Sequence, residues 1–197
     1  MKIFTIILST LFAFQSFSSG TEMKKEMKAK SVGSKKSVDI SKSGFSWLGT
    51  KMTGKHEGQI KLRSGWVNLS KNGKLQSGSF VMDINSITVG DLSGEWKGKF
   101  LGHIKAPDFF DVKQFPTAKL EITKVKGNMV FANLTIKNKT HPVKFKMTKK
   151  GKGFSGTLKF DRTKFGMTYK SGNFFKDLGD KLIHDEVKVD FNVFLKS

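Results

Sequence analysis

Cysteine is absent from the 197 residues, which rules out disulfides, thiolate metal sites and a lipidated N-terminal cysteine. Arginine is almost absent: Arg63 and Arg162 are the only two. Base readout in nucleic acids leans on bidentate arginine forks, so a net charge of +20 carried by lysine points away from nucleic acid as a partner. From residue 37 onward the lysines also stand mostly singly between apolar residues instead of clustering. That is the pattern of solvated outer strand faces, with peripheral attraction to anionic membrane as a by-product. Catalytic signatures are missing as well. There is no G-x-S-x-G elbow, P-loop or Rossmann fingerprint, and His56, His103, His141 and His184 lie far apart, without metal-ligand spacing. Adjacent acids such as Asp185 and Glu186 point to opposite faces of a strand. These absences argue against an enzyme and against a resident cofactor or metal.

Long apolar runs are missing too, with one exception, Ile3 to Phe14, between the basic start Met1-Lys2 and a small polar stretch ending at Gly20. That order is the one expected of a signal peptide over residues 1–19, and the run is short for a bilayer span. The expectation is therefore a periplasmic or secreted protein. Residues 20–36 are rich in lysine and poor in large apolar side chains, which predicts a flexible linker. Residues 37–197 then form one domain of ordinary size.

Proline is scarce, and two of the three, Pro107 and Pro116, fall in residues 101–123, LGHIKAPDFFDVKQFPTAKLEIT. Between them sit Phe109, Phe110 and Phe115, a Phe-rich plug; after Pro116, Leu120 and Ile122 alternate with Lys119, Glu121 and Thr123 as in a strand with one dry face. The same period of two recurs along the chain. It predicts strands at Phe45–Trp47, at Gly58–Leu62 and Trp66–Leu69 with a break at Arg63–Gly65, and at Phe80–Ile84. Further strands are expected over 117–125, 129–136, 142–148, 154–161 and 186–195. Asn72-Gly73 marks a hairpin, and the phase shift at Asn85-Ser86 predicts a bulge or bend. Over Asp91 to Ile104 the spacing changes to three and four, which predicts a helix; residues 173–180 are expected to form a short helix or lid. The class is all-β: an antiparallel sheet of about eight strands, closed into a barrel or folded into a sandwich, with a helical insertion.

Seven motifs in sequence carry a resemblance. They are His56-x-Gly58, SFVMDINSIT at 79–88, HIKAPDFFD at 103–111, FPTAKLEI at 115–122, NLTIKNKTHPVKF at 133–145, FDRTKFGM at 160–167 and HDEVKVDFNV at 184–193. With them the chain resembles YceI-like proteins, a polyisoprenoid-binding family of exported bacterial lipocalin-like β-barrels. The resemblance implies an eight-stranded barrel that holds a polyisoprenoid, quinone-like or other long-chain amphiphile, without bond chemistry. Phe45, Trp47, Phe80, Met82, Ile84, Leu134, Phe145, Met147, Phe160 and Phe191 lie on dry faces. They are the candidate ligand-binding residues, each equally able to serve as plain core. His56 is a candidate for a polar head group or a structural hydrogen bond, and Arg162 for a head group or a carboxylate partner. The competing reading is a solid-core stress-response or interaction protein that uses its basic surface at membranes. Pairing of two chains as a homodimer stays open.

Overall fold

A computed structural model describes residues Gly33–Ser197. The signal peptide over 1–19 and nearly all of the linker over 20–36 lie outside the described residues. The end of that linker does not behave as one. β1 (Ser34–Ser37) pairs antiparallel with β3 (Gly54–Leu69), Lys35 opposite Asn68 and Lys36 opposite Val67. Its lysine side chains stay exposed while the backbone pairs, so charge does not stop this segment from joining a sheet edge. Among the described residues, Ser34–Lys36 of the expected linker thus belong to the sheet.

β2 (Gly44–Lys51), β3, β4 (Leu75–Asp83), β5 (Thr117–Lys126), β6 (Met129–Ile136), β7 (Lys139–Lys150), β8 (Gly153–Asp161) and β9 (Ile183–Phe194) run antiparallel in the order β3-β2-β9-β8-β7-β6-β5-β4. β4 pairs back onto β3. That pairing closes an eight-stranded lipocalin-like barrel and decides between the barrel and the sandwich. β3 makes closure possible because it is one strand of 16 residues, not two. The expected break at Arg63–Gly65 is a bulge between Leu62 and Ser64, which bends the strand without ending its pairing. Its first half pairs with β2 and its second with β4.

Consecutive strands place the connections at two ends. At one end lie the hairpin turns 70–74, 127–128 and 151–152; at the other lie the β2–β3 and β6–β7 turns and both long connections. Asn72-Gly73 forms the expected turn, with Gly73 at φ 68°. The phase shift at Asn85-Ser86 is not a strand bulge but a 3-10 turn, Ile84–Ser86, whose N-terminus is capped by the Asp83 carboxylate accepting from Asn85 N–H at 3.0 Å. The turn sends Ile87 and Val89 into a second apolar cluster with Trp47 and Ile104. The helix α1 (Gly94–Lys105) begins three residues later than the spacing predicts. Asp91 is withheld from it, because its carboxylate accepts from Glu57 N–H at 2.9 Å. The plug of residues 107–115 is a chain of turns, in which Phe109 and Phe110 pack against both apolar clusters.

β7 and β8 pair only over Met147–Lys150 and Gly153–Gly156. The seam beyond is filled by the 3-10 turn Arg162–Phe165, whose Phe165 ring packs edge-on to His141 and Phe160 at 5.2 and 5.6 Å. The helix or lid expected over 173–180 is a run of turns ending in the 3-10 turn Gly179–Lys181, and β9 starts at Ile183, before the expected residue 186.

Gly58 has no room for a side chain, since a Cβ there would overlap the Thr88 carbonyl and approach Trp47 Nε1. Gly58→Ala should lower stability by about 1–3 kcal/mol, read as a lower urea midpoint at unchanged slope. Gly98 in α1 has open space around its Cβ position, and Gly98→Ala should raise stability by about 0.5–1 kcal/mol.

Candidate functional site

Closing a one-faced sheet turns every dry face inward. Here the interior is not filled: a cavity of about 740 Å³ runs through the barrel, which overturns the solid-core expectation. Register explains the wall. Phe45 stands opposite Phe191, Phe80 opposite Leu120, and Leu120 opposite Leu134. Large side chains thus stand side by side on neighbouring strands. Phe45 stacks on Phe191 at 6.2 Å, and Phe145 meets Phe191 edge-on at 5.6 Å. Val67, Leu75, Phe154 and Val193 lie toward the end with the three short hairpins, while Lys51, Lys99, Lys170 and Lys181, with the single acid Asp180 among them, line the opposite end. The cavity is therefore apolar along its length and basic at its mouth.

All twelve candidate residues lie on this one wall: Phe45, Trp47, His56, Phe80, Met82, Ile84, Leu134, Phe145, Met147, Phe160, Arg162 and Phe191. Further lining residues escaped the site reading, among them three groups. Leu92, Phe100 and Ile104 come from α1 and its approach, Tyr169 from the β8–β9 connection, and Ala118 from β5. The four-residue spacing of Trp96, Phe100 and Ile104 was the available signal for the first. Ala118 shares the period-two register of Leu120 and Ile122, whereas nothing local marks Tyr169.

The mouth is held by polar contacts that the strands alone do not supply. Trp47 Nε1 donates to the Thr88 carbonyl at 3.0 Å while its ring stacks on Phe100 at 6.0 Å, which fastens α1 across the barrel end. His56 Nδ1 lies 2.7 Å from the Asp91 carboxylate and its ring 4.7 Å from Phe100. Burial alone would push the Asp91 carboxyl up. The N–H of Glu57 and the hydrogen bond and charge of His56 outweigh it, and the net direction is down. His103 packs edge-on to Phe109 and Tyr169 at 5.0 and 4.7 Å, with Asp108 at 3.4 Å.

Arg162 is 2% exposed and shows the second of its two candidate roles, as a carboxylate partner. Its guanidinium donates to the carbonyls of His184, Met167 and Ile183 and lies 3.2 Å from Asp185 Oδ1. Asp185 in turn accepts from Ser171 Oγ at 2.9 Å and Asn173 Nδ2 at 2.8 Å. Burial pushes the Arg162 guanidinium below its ordinary value, against the pull of Asp185 and Asp161; it stays charged all the same. This network ties the β8–β9 connection to the start of β9. Asp161 does not bridge to its neighbour but caps the 3-10 turn by accepting from Thr163 N–H at 2.9 Å.

The YceI-like domain pattern matches residues 34–195. BcnA of Burkholderia cenocepacia is similar in structure, with 26% identity and a TM-score of 0.62 over 81% of this chain and 99% of that one. A polyisoprenoid binding domain from Saccharophagus degradans, implicated in plant cell wall breakdown, shares the fold. It has 16% identity and a TM-score of 0.58 over 82% of this chain and 97% of that one. A comparison with curated proteins yields no match.

Asp185→Ala leaves the buried guanidinium without its carboxylate and should cost about 3 kcal/mol. Limited proteolysis should then cut the β8–β9 connection at Lys176 or Lys181 before the barrel unfolds. Asp91, whose folded-state value is depressed, contributes stability above the unfolded value of about 4, and that contribution disappears as pH falls through the folded value. Asp91→Asn should therefore be less stable than the parent near neutral pH, with the gap in unfolding free energy closing on acidification.

Proposed function

The chain belongs to the YceI-like domain family, and from that premise we propose that it carries or sequesters a long-chain amphiphile, a polyisoprenoid or quinone-like lipid, inside its barrel and releases it unaltered. The single observation behind this reading is the cavity, about 740 Å³ of mostly apolar wall that ends at a lysine-lined mouth. That volume falls within the usual range for small-molecule sites. The name of the Saccharophagus degradans neighbour, a polyisoprenoid binding domain, supports the same ligand class.

Magnitudes assign the parts. Each buried CH₂ of a tail contributes about 0.8 kcal/mol, whereas a lysine near an anionic head group contributes about 1 kcal/mol and is screened by salt. A tail of many carbons therefore supplies most of the affinity, and the mouth orients the head. Ala118 and Met82 stand opposite each other at the mouth ends of β5 and β4 and both line the cavity, so a larger side chain at position 118 blocks the path just inside the mouth. We place the carrier outside the cytoplasm, in the periplasm or secreted, on the strength of the N-terminal segment Met1 to Gly20.

Native mass spectrometry of protein isolated from its own cells should show an added lipid mass that survives high salt. Ala118→Trp should remove that mass while the circular dichroism spectrum stays that of the parent. A parent that is always apo, and that takes up no offered isoprenoid, would end the carrier reading.

A further inference from the structure

Among the described residues five large hydrophobic side chains are exposed: Ile40, Met52, Trp96, Phe174 and Phe175. Their placement is uneven. Ile40 precedes β2, at the barrel end opposite the mouth, while the other four belong to the turns and the helix around the mouth. Trp96 is 70% exposed in the first turn of α1 and itself lines the cavity opening. Phe174 and Phe175, 58% and 47% exposed, sit on the β8–β9 connection. The base of that connection is closed by Ile183 N–H donating to the Lys170 carbonyl at 2.9 Å. Met52, 58% exposed, tips the β2–β3 turn and donates its N–H to the Leu182 carbonyl of the same connection at 3.1 Å. Three separate pieces of chain thus present aromatic or thioether groups on one rim.

Lysines stand among them. Lys51, Lys170 and Lys181 line the mouth and Lys176 follows Phe175. Acids are present too, but Glu57 is paired with Lys55 at 2.9 Å, Glu95 with Lys99 at 2.7 Å and Asp91 with His56 at 2.7 Å. Asp108 lies 3.4 Å from His103, and Asp111, Asp177 and Asp180 remain, the last two on the β8–β9 connection beside three lysines. The Arg162–Asp185 network holds that connection against the barrel, so its two rings are carried on a braced support.

We propose that this rim is a docking surface for an anionic phospholipid bilayer. Trp96, Phe174, Phe175 and Met52 enter the head-group boundary, while the rim lysines meet lipid phosphates. Aromatic and thioether side chains with interspersed lysine are the chemistry of peripheral interfacial binding. The net charge of +20 on the whole chain attracts it to such a surface from any orientation; the apolar rim selects the orientation. In that orientation the mouth opens onto the bilayer, and a lipid tail passes between membrane and cavity without crossing water. This goes beyond carriage: it shares the mouth lysines and Trp96 with that reading and adds Met52, Phe174 and Phe175, which do not line the cavity.

The experiment uses the full chain with phosphatidylcholine–phosphatidylglycerol vesicles in which part of the lipid is brominated. Trp96 emission, obtained as the difference between parent and Trp96→Phe, should be quenched, and high salt should abolish the quenching. The triple variant Trp96→Ser, Phe174→Ser, Phe175→Ser should partition about tenfold or more weakly, while Ile40→Ser partitions like the parent. Circular dichroism establishes that each is folded. The apolar N-terminal run Ile3 to Phe14 is common to all variants, so the Trp96 signal reads the rim even where that run also binds. A chain that sediments with vesicles while Trp96 escapes quenching overturns the proposal, as does a triple variant that partitions like Ile40→Ser. Lipid mass measured on the same variants tests carriage separately, since the rim substitutions leave the cavity wall beyond Trp96 intact.

Discussion

Backbone hydrogen bonding along β3 is the constraint from which the rest of the molecule follows. A sheet with one dry face has two liabilities, the face itself and the unpaired edges. β3 resolves both by pairing with β2 over its first half and β4 over its second, with the bulge between Leu62 and Ser64 turning the strand from one neighbour to the other. Once the ring is closed, every inward side chain is committed to a single interior. Gly58 and Gly65 belong to the same device: a Cβ at Gly58 would strike the Thr88 carbonyl, and one at Gly65 would press on Val38, Leu62 and Phe80. The strand bends where its neighbours leave no space for side chains.

A ring of eight strands encloses more volume than its own inward side chains occupy, and the surplus is the cavity. Its two ends differ because the chain spends its short hairpins at one and its long connections at the other. The long connections bring what strands cannot: α1 laid over Trp47, the Phe109–Phe110 plug, and the Arg162–Asp185 brace. Polar and charged groups gather there for a physical reason. Irregular backbone has donors and acceptors left over from the ladders, and these must find partners. Arg162 donates to the Met167 carbonyl of the connection and to the Ile183 and His184 carbonyls at the start of β9, joining the two.

Much of this was readable in one dimension. Period-two alternation located nearly every strand, Asn72-Gly73 its hairpin, and the three- and four-residue steps after Asp91 the helix. The dry-face residues identified on that basis all reach the cavity wall. What failed did so at points where distant contacts override local pattern. Gly65 reads as a breaker, yet β4 pairs straight through it, with Gly65 opposite Phe80. Asp91 reads as the start of a helix, yet the N–H of Glu57 and the ring of His56 claim its carboxylate. Lys35 and Lys36 read as linker because their side chains are charged, but edge pairing uses backbone only.

The order of residues alone determined the all-β class, the inward and outward registers, and the lysine-coated exterior, because each depends on chemistry repeated every second residue. Whether the inward groups meet to fill the centre or stand apart around a hollow depends on the strand number and closure, and those arise only when β4 finds β3. The same holds for the rim, where Met52, Trp96 and Phe174 are separated by scores of residues and share one end solely because the barrel turns its connections there.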